Sequence, residues 1–306
     1  LGWIFLSTTI LVVKTVSASV MNIKKVLFYM IISALAFTLM NVAVKQLQHY
    51  SVYQIVFFRG FGSFILTMAI LKQLKIPILG NNKKLLVLRA IVGTSSMTLF
   101  FMSLKYLSAG TAVSLRYLAP IFSAIFAIFL LKEKVKPIQW LFFIVSFIGV
   151  LTLKGLDTHL DSTGLTLVFG AAVLSGLVYI IISKIGKRDH PIVIVNYFMF
   201  TATIFGGLLM IPYWQNPIGI DWLFLSTLGF FGFIGQLYMT KAFQIASNNL
   251  VAPFKYLEVL FTGLIGFMWL GEIYTIWSLV GILLIIAGLV MNVAYKARDK
   301  RYTIKS

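Results

Sequence analysis

Ten stretches of roughly twenty mostly apolar residues, each closed off by charged or turn-forming clusters, constrain this chain more than any other feature. They run over 26–44, 53–71, 85–104, 111–131 and 138–153, then 164–183, 192–213, 222–242, 250–270 and 275–294. A helix needs about 20 predominantly apolar residues to cross about 30 Å of hydrocarbon, so each stretch is long enough to span, or nearly span, a bilayer. Breaks such as Gly80-Asn81-Asn82-Lys83-Lys84 and Ala246-Ser247-Asn248-Asn249 carry turn chemistry. A membrane barrel would alternate apolar and polar residues over about ten-residue strands, whereas 121–131 and 280–290 are nearly continuous apolar runs. With 60% hydrophobic and only 11% charged residues, no water-soluble fold could cover the apolar surface. The expected fold class is therefore an all-α integral membrane protein with ten transmembrane helices.

Lys and Arg number 26 against 8 Asp and Glu. In a soluble protein such an excess would suggest nucleic-acid binding, but here the basic residues fall mostly between spans and mark topology. One side collects Lys24, Lys25, Lys72, Lys75, Lys83, Lys84, Lys132, Lys134, Lys136, Lys184, Lys187, Arg188 and the tail Lys296, Arg298, Lys300, Arg301 and Lys305. The other receives Lys45, Lys105 and Lys154. The positive-inside rule puts both termini in the cytoplasm and Asp157, Asp161 and Asp221 outside. The expected location is the bacterial cytoplasmic (inner) membrane. Met21-Asn22-Ile23-Lys24-Lys25 reads as a natural start, so residues 1–20 are expected to be a leader or a misplaced start, and 296–306 a basic cytoplasmic tail. No cysteine is present, which excludes disulfides and thiol nucleophiles.

A constant shift of 139 positions aligns the two halves. It superposes Leu35 on Leu174, Lys45 on Lys184, Gly93 on Gly232, Tyr117-Leu118 on Tyr256-Leu257, Glu133 on Glu272 and Gly149 on Gly288. The expected domains are a first five-helix repeat over 21–154 and a second over 155–295. Five is odd, so the second repeat enters the bilayer from the opposite side, and the fold reads as two inverted five-helix repeats. The segments Leu107-Ser108-Ala109-Gly110-Thr111-Ala112, Tyr117-Leu118-Ala119-Pro120-Ile121-Phe122 and Leu130-Leu131-Lys132-Glu133-Lys134 resemble the EamA-type repeat of the drug/metabolite transporter superfamily. Trp269-Leu270-Gly271-Glu272 and the glycine-spaced stretch 281–288 carry the resemblance into the second half. It implies transport of small metabolites or amphiphiles without ATP hydrolysis.

The acidic residues are telling. Glu133, Asp157, Asp161, Asp189, Asp221, Glu272 and Asp299 fall in loops or tails, and Glu258 alone lies well inside a span. His49, His159 and His190 sit near loops, so no metal constellation or acid/base pair is expected, and no phosphate loop of the Walker type occurs. An enzyme is disfavoured and no cofactor is called for. Arg116 and Lys255 are equivalents under the repeat, each about five residues into its span, or about 7–8 Å deep. An ionisable residue at that depth is a functional candidate; snorkelling to the headgroups is the competing reading. Tyr117 and Tyr256 add a repeated polar handle, and Lys255, Glu258 and Thr262 share a helix face. Arg59 joins the candidates, whereas Arg89, nearer a helix end, reads as a snorkelling anchor. Pro120 and Pro253 are expected to kink their spans beside the site. Asn41, Asn196 and Gln236 either line a pathway or bond between helices, and Gly149 with Gly288 marks close helix packing.

The expected substrate-binding residues are thus Arg116, Tyr117, Lys255, Tyr256, Glu258 and Arg59, with Glu258 the candidate for ion coupling. The function read from them is a secondary transporter moving a small anionic or zwitterionic metabolite, amino-acid-like or nucleoside-like, by alternating access. The alternatives are an exporter of hydrophobic amphiphiles or lipid-linked intermediates, and a non-transporting membrane scaffold. Partners are the small-molecule substrate and membrane lipids, with no nucleic acid; a homo-oligomer is not required.

Overall fold

A computed structural model describes residues 2–103, 105–107, 112, 115–154, 161–270 and 276–303, which form helices and connecting turns with no strand among them. The main helices are α1 (Gly2–Gln46), α2 (Val52–Gln73), α3 (Lys83–Ser103), α4 (Ala119–Leu130), α5 (Pro137–Lys154), α6 (Ser162–Ile185), α7 (Pro191–Met210), α8 (Asp221–Ile245), α9 (Leu257–Leu270) and α10 (Ile276–Thr303). Among the described residues six segments are long and apolar enough to cross a membrane: Ile23–Val44, Val52–Gln73, Lys83–Ser103, Ser162–Arg188, Pro191–Tyr213 and Asp221–Ile245. Ala119–Leu130, Pro137–Thr152 and Val280–Tyr295 are shorter apolar helices. α1 runs unbroken through Met21. Asp157, His159, Glu272 and segment 108–111 of the repeat motif lie outside the described residues, as does the tail beyond Thr303.

Two expected spans differ from the sequence reading. Stretch 250–270 is not one helix but a short turn of α-helix (Asn248–Val251), a 3-10 segment (Ala252–Tyr256) and then α9. Pro253 is the cause: it has no N–H to donate and its ring crowds the preceding turn. Likewise α4 begins only at Ala119, with Pro120 in its first turn and Leu118 in a turn before it. Both breaks lie beside the candidate cations.

The packing exchanges when the halves are exchanged. α1 lies on α8 as α6 lies on α3, α4 lies on α6 as α9 lies on α1, α2 meets α8 as α7 meets α3, and the pairs α2–α7 and α5–α10 map onto themselves. This is the pattern of two related halves exchanged about a pseudo-twofold axis. Small residues let the paired helices close. A side-chain carbon built on Gly149 would sit 2.7 Å from the Gly281 carbonyl oxygen, and one built on Gly229 2.6 Å from the Gly62 Cα. Hydroxyls act as glue across the contacts: Ser33 donates to the Gly235 carbonyl of α8 (2.8 Å), and Ser96 donates to the Ala171 carbonyl of α6 (2.8 Å). Meanwhile Phe129, Leu208, Leu223, Met268 and Leu283 stand exposed on the outside, as lipid-facing side chains do.

One end of the bundle is tied by carboxylates. Asp189, 2% exposed, accepts the backbone N–H groups of Asn81 and Asn82, and Gln244 donates to the Gly186 and Asp189 carbonyls. Glu133 accepts the N–H groups of Asn248 (2.9 Å) and Asn249 (3.3 Å), serving as a cap for the short helix that leads to the 3-10 segment. At the other end Tyr50 donates to Asp221 (2.7 Å), and Gln54 and Gln215 bond reciprocally.

Candidate functional site

The 3-10 turn around Pro253 places Lys255 and Glu258 on the inner side of the bundle instead of near its surface. Lys255 is 5% and Glu258 4% exposed, and the Lys255 ammonium donates to Glu258 Oε2 at 2.7 Å. Asn41 of α1 donates to the other carboxylate oxygen at 2.8 Å, and Thr38 reaches the Glu258 carbonyl at 3.3 Å. The Lys255 Nζ also stands 4.4 Å from the centre of the Phe37 ring. Such a placement is a built ion pair inside the bundle, and the snorkelling reading of Lys255 is overturned by it. Thr262, expected on the same face, lies in α9 with its side chain outside the described set.

Arg116 comes from the equivalent break in the first half. Its guanidinium lies 4.3 Å from the centre of the Phe100 ring of α3, and it lines the same space as Lys255. That space consists of two adjoining cavities. The larger, about 40 Å³, is walled by Phe37, Arg59, Arg89, Arg116, Tyr179 and Lys255 among others. The smaller, about 10 Å³, is bounded by Asn41, Arg116, Tyr117, Pro120, Tyr179, Lys255 and Glu258. Sites for organic ligands usually measure about 300–1,000 Å³, so in this conformation only water-sized species fit; about 10–15 Å³ suffices for a water molecule.

Of the candidate residues, Arg59, Arg116, Tyr117, Lys255 and Glu258 come together around this space. Tyr256 does not line it. Instead the Tyr117 and Tyr256 rings, 6.1 Å apart, meet with Val150, Val259, Ile285 and Leu289 in a buried cluster that joins the two halves at equivalent positions. Arg89 corrects the sequence reading most sharply. It is 1% exposed, its guanidinium stacks 4.1 Å from the Phe198 ring of α7, and it faces the larger cavity. α7 covers it, held over the start of α3 by the Asp189 contacts to Asn81 and Asn82. Gly93, one turn along α3, leaves room for its headgroup. Repeat pairing of Gly93 with Gly232 was the available signal, since Gly232 in turn makes space for Arg59.

The three amides divide between the two expected uses. Asn196 accepts from Thr67 (2.8 Å), tying α7 to α2, while Asn41 holds Glu258 and Gln236 lines the larger cavity. Among the described residues no group of three or more His, Asp or Glu could hold a metal.

An all-helical bundle with a charged, buried centre between two related halves defines a multi-pass membrane transporter for small molecules. The sequence profile of the EamA-like transporter family matches residues 24–154 and again 162–294, and the chain belongs to that family. It is 28% identical over 281 residues to human solute carrier family 35 member G1, covering 85% of this chain and 76% of that protein. It is 25% identical over 266 residues to the pseudopaline exporter CntI of Pseudomonas aeruginosa, covering 86% and 91%. A solved crystal structure with 16% identity superposes with a TM-score of 0.78 over 90% of this chain and 98% of the other, which establishes the fold.

Proposed function

We propose that this protein is a secondary transporter that moves a small anionic or zwitterionic metabolite across the cytoplasmic membrane by alternating access. The observation that carries the reading is the meeting of half-buried Arg116, from one half, with the buried Lys255–Glu258 pair, from the other, around the two adjoining central cavities. A scaffold protein gains nothing from desolvating these charges, which lipid and protein interiors penalise. The charged lining also speaks against the hydrophobic amphiphile. Broken helices at the cations match the design in which interrupted spans expose polar backbone only where it borders a cavity. The cavity is too small for a metabolite, so binding requires the halves to part on one side, and parting on the other completes transport. The pseudo-twofold packing supports inverted repeats, and the lysine-rich loops support a cytoplasmic location for both termini. A relative that exports pseudopaline supports outward movement of a small solute.

The test is solute exchange in proteoliposomes. Arg116→Gln and Lys255→Gln are expected to lower exchange of a transported anion by at least tenfold while the protein still elutes as a single folded species. Unchanged exchange in both would remove these residues from the site.

A further inference from the structure

Resting on the transport reading above, we infer that Arg59 and Arg89 form a second oxyanion-binding point and that the substrate is a small organic polyanion carrying at least two acid groups. Four cationic side chains, Arg59, Arg89, Arg116 and Lys255, line the adjoining cavities, and Glu258 is the only carboxylate among the described lining residues. Glu258 is already engaged by Lys255 and Asn41. Three positive charges therefore remain without a carboxylate partner in the wall.

Arg59, from α2, is 4% exposed and Arg89, from α3, 1%. Both face aromatic rings: Arg59 lies about 6 Å from the centres of Phe37 and Phe101, and Arg89 lies 4.1 Å from that of Phe198. Neither guanidinium hydrogen-bonds to another described residue. Arg59 Nε, two nitrogens of Arg89 and the side-chain amide nitrogen of Gln236 are buried donors without an acceptor, and all three side chains line the larger cavity. Buried donors are nearly always satisfied in folded proteins, and a planar guanidinium matches a carboxylate or phosphate bidentately. The space for the headgroups is also built. A side-chain carbon on Gly93 would lie 2.6 Å from an Arg89 Nη, and one on Gly232 3.2 Å from Arg59 Cγ. These glycines are equivalents in the repeat.

A single carboxylate held by Arg116 and Lys255 would leave both buried arginines uncompensated. A zwitterion would do worse, because its ammonium adds to the positive excess. Two acid groups, one at each end of the cavity pair, give the donors acceptors and offset most of the positive excess.

The experiment compares melting temperatures of the purified full chain in detergent with acetate, glycine, succinate and phosphoglycerate, which carries a carboxylate and a phosphate, at equal ionic strength. Succinate or phosphoglycerate should raise the melting temperature by about 3 °C or more, with acetate and glycine inert; success of succinate alone assigns a dicarboxylate, and of phosphoglycerate alone a carboxylated phosphate ester. Arg59→Gln and Arg89→Gln should weaken the dianion response at least tenfold, and without added anion each should melt no lower than the parent, because an uncompensated buried cation has been removed. A packing arginine would melt lower when replaced. If Arg89→Gln does not fold, Arg89→Lys keeps the charge without the fork and should retain the response in weakened form. Equal stabilisation by acetate or glycine, or a full dianion response in both glutamine variants, overturns the polyanion while leaving transport intact. No melting response to either dianion also overturns the polyanion, whereas the role of this site in transport stands or falls separately with the exchange test of Arg116→Gln and Lys255→Gln.

Discussion

At the scale of single residues, the acid inventory made Glu258 conspicuous in the sequence, because an isolated carboxylate inside a span must be either neutralised or used. The structure brings it to Lys255 and Asn41 at 2.7 and 2.8 Å. With one carboxylate oxygen bonded to Lys255 and the other to Asn41, Glu258 is expected to act as a permanent counter-ion and not as a proton carrier. Glu258→Gln is then expected to impair exchange and pH-gradient-driven uptake alike and to cost about 3–5 kcal/mol, the usual penalty for stranding one member of a buried pair. The double change Lys255→Met with Glu258→Met should be better tolerated in thermal melts than either single change. Loss of pH-driven accumulation alone, with exchange retained, would instead make Glu258 the proton site. Arg89 was not legible in the same way. Its place near the start of an apolar run resembles that of an anchoring residue, and only the packing of α7, which no local pattern encodes, carries it inward beneath Phe198.

At the scale of elements, the apolar runs located most helices closely, since their boundaries depend on local chemistry such as Ser51 capping α2 and Asp161 capping α6. The interrupted runs were less legible. Pro120 and Pro253 announce a disturbance, but whether a kink, a 3-10 turn or a full break follows depends on what the freed backbone groups meet, here Glu133 from a distant loop for Asn248 and Asn249. Gly149 and Gly288 were read correctly as packing residues. A methyl group at Gly288 would collide with Ser146 Oγ and approach the Phe142 carbonyl at 2.7 Å, so Gly288→Ala should destabilise the α5–α10 pair by about 1–3 kcal/mol. Adding Ser146→Ala should recover part of that loss in a melt; no recovery would show that the backbone contact dominates. The cap of α7 gives a pH-dependent element. His190 Nδ1 accepts the Ile192 N–H at 3.3 Å, and burial together with nearby Lys241 holds its pKa below the ordinary 6.5. The unfolded chain therefore takes up this proton first, and stability should fall as pH drops through about 6.5. His190→Asn keeps an acceptor at the cap, and its melting temperature should vary less between pH 5 and 7.5 than that of the parent.

At the scale of the whole molecule, the sequence repeat foretold the exchange symmetry of the helix contacts but not the interior it encloses. Equivalent positions carry Arg116 and Lys255, yet Arg59 and Arg89 have Phe198 and Leu228 as their repeat equivalents, so the charge of the centre arises from departures from symmetry that the repeat cannot reveal. Orientation is the property the repeat and the charge pattern determine jointly. If five spans make each half, the halves face opposite ways and both ends of the pair lie on one side of the membrane. The loops drawn together at one end of the bundle, by Asp189 and Glu133, are those rich in Lys and Arg, which is the end that should stay in the cytoplasm. The opposite end, where Tyr50 and His49 meet Asp221, carries few basic residues. Because the chain has no cysteine, a single introduced thiol reports its own side without background. In intact cells Thr158→Cys should react with a membrane-impermeant maleimide, whereas Thr303→Cys should react only after the membrane is opened. The reverse pattern would invert the molecule, and labelling of both in intact cells would mean an even number of crossings between them, which a complete five-helix second repeat does not allow.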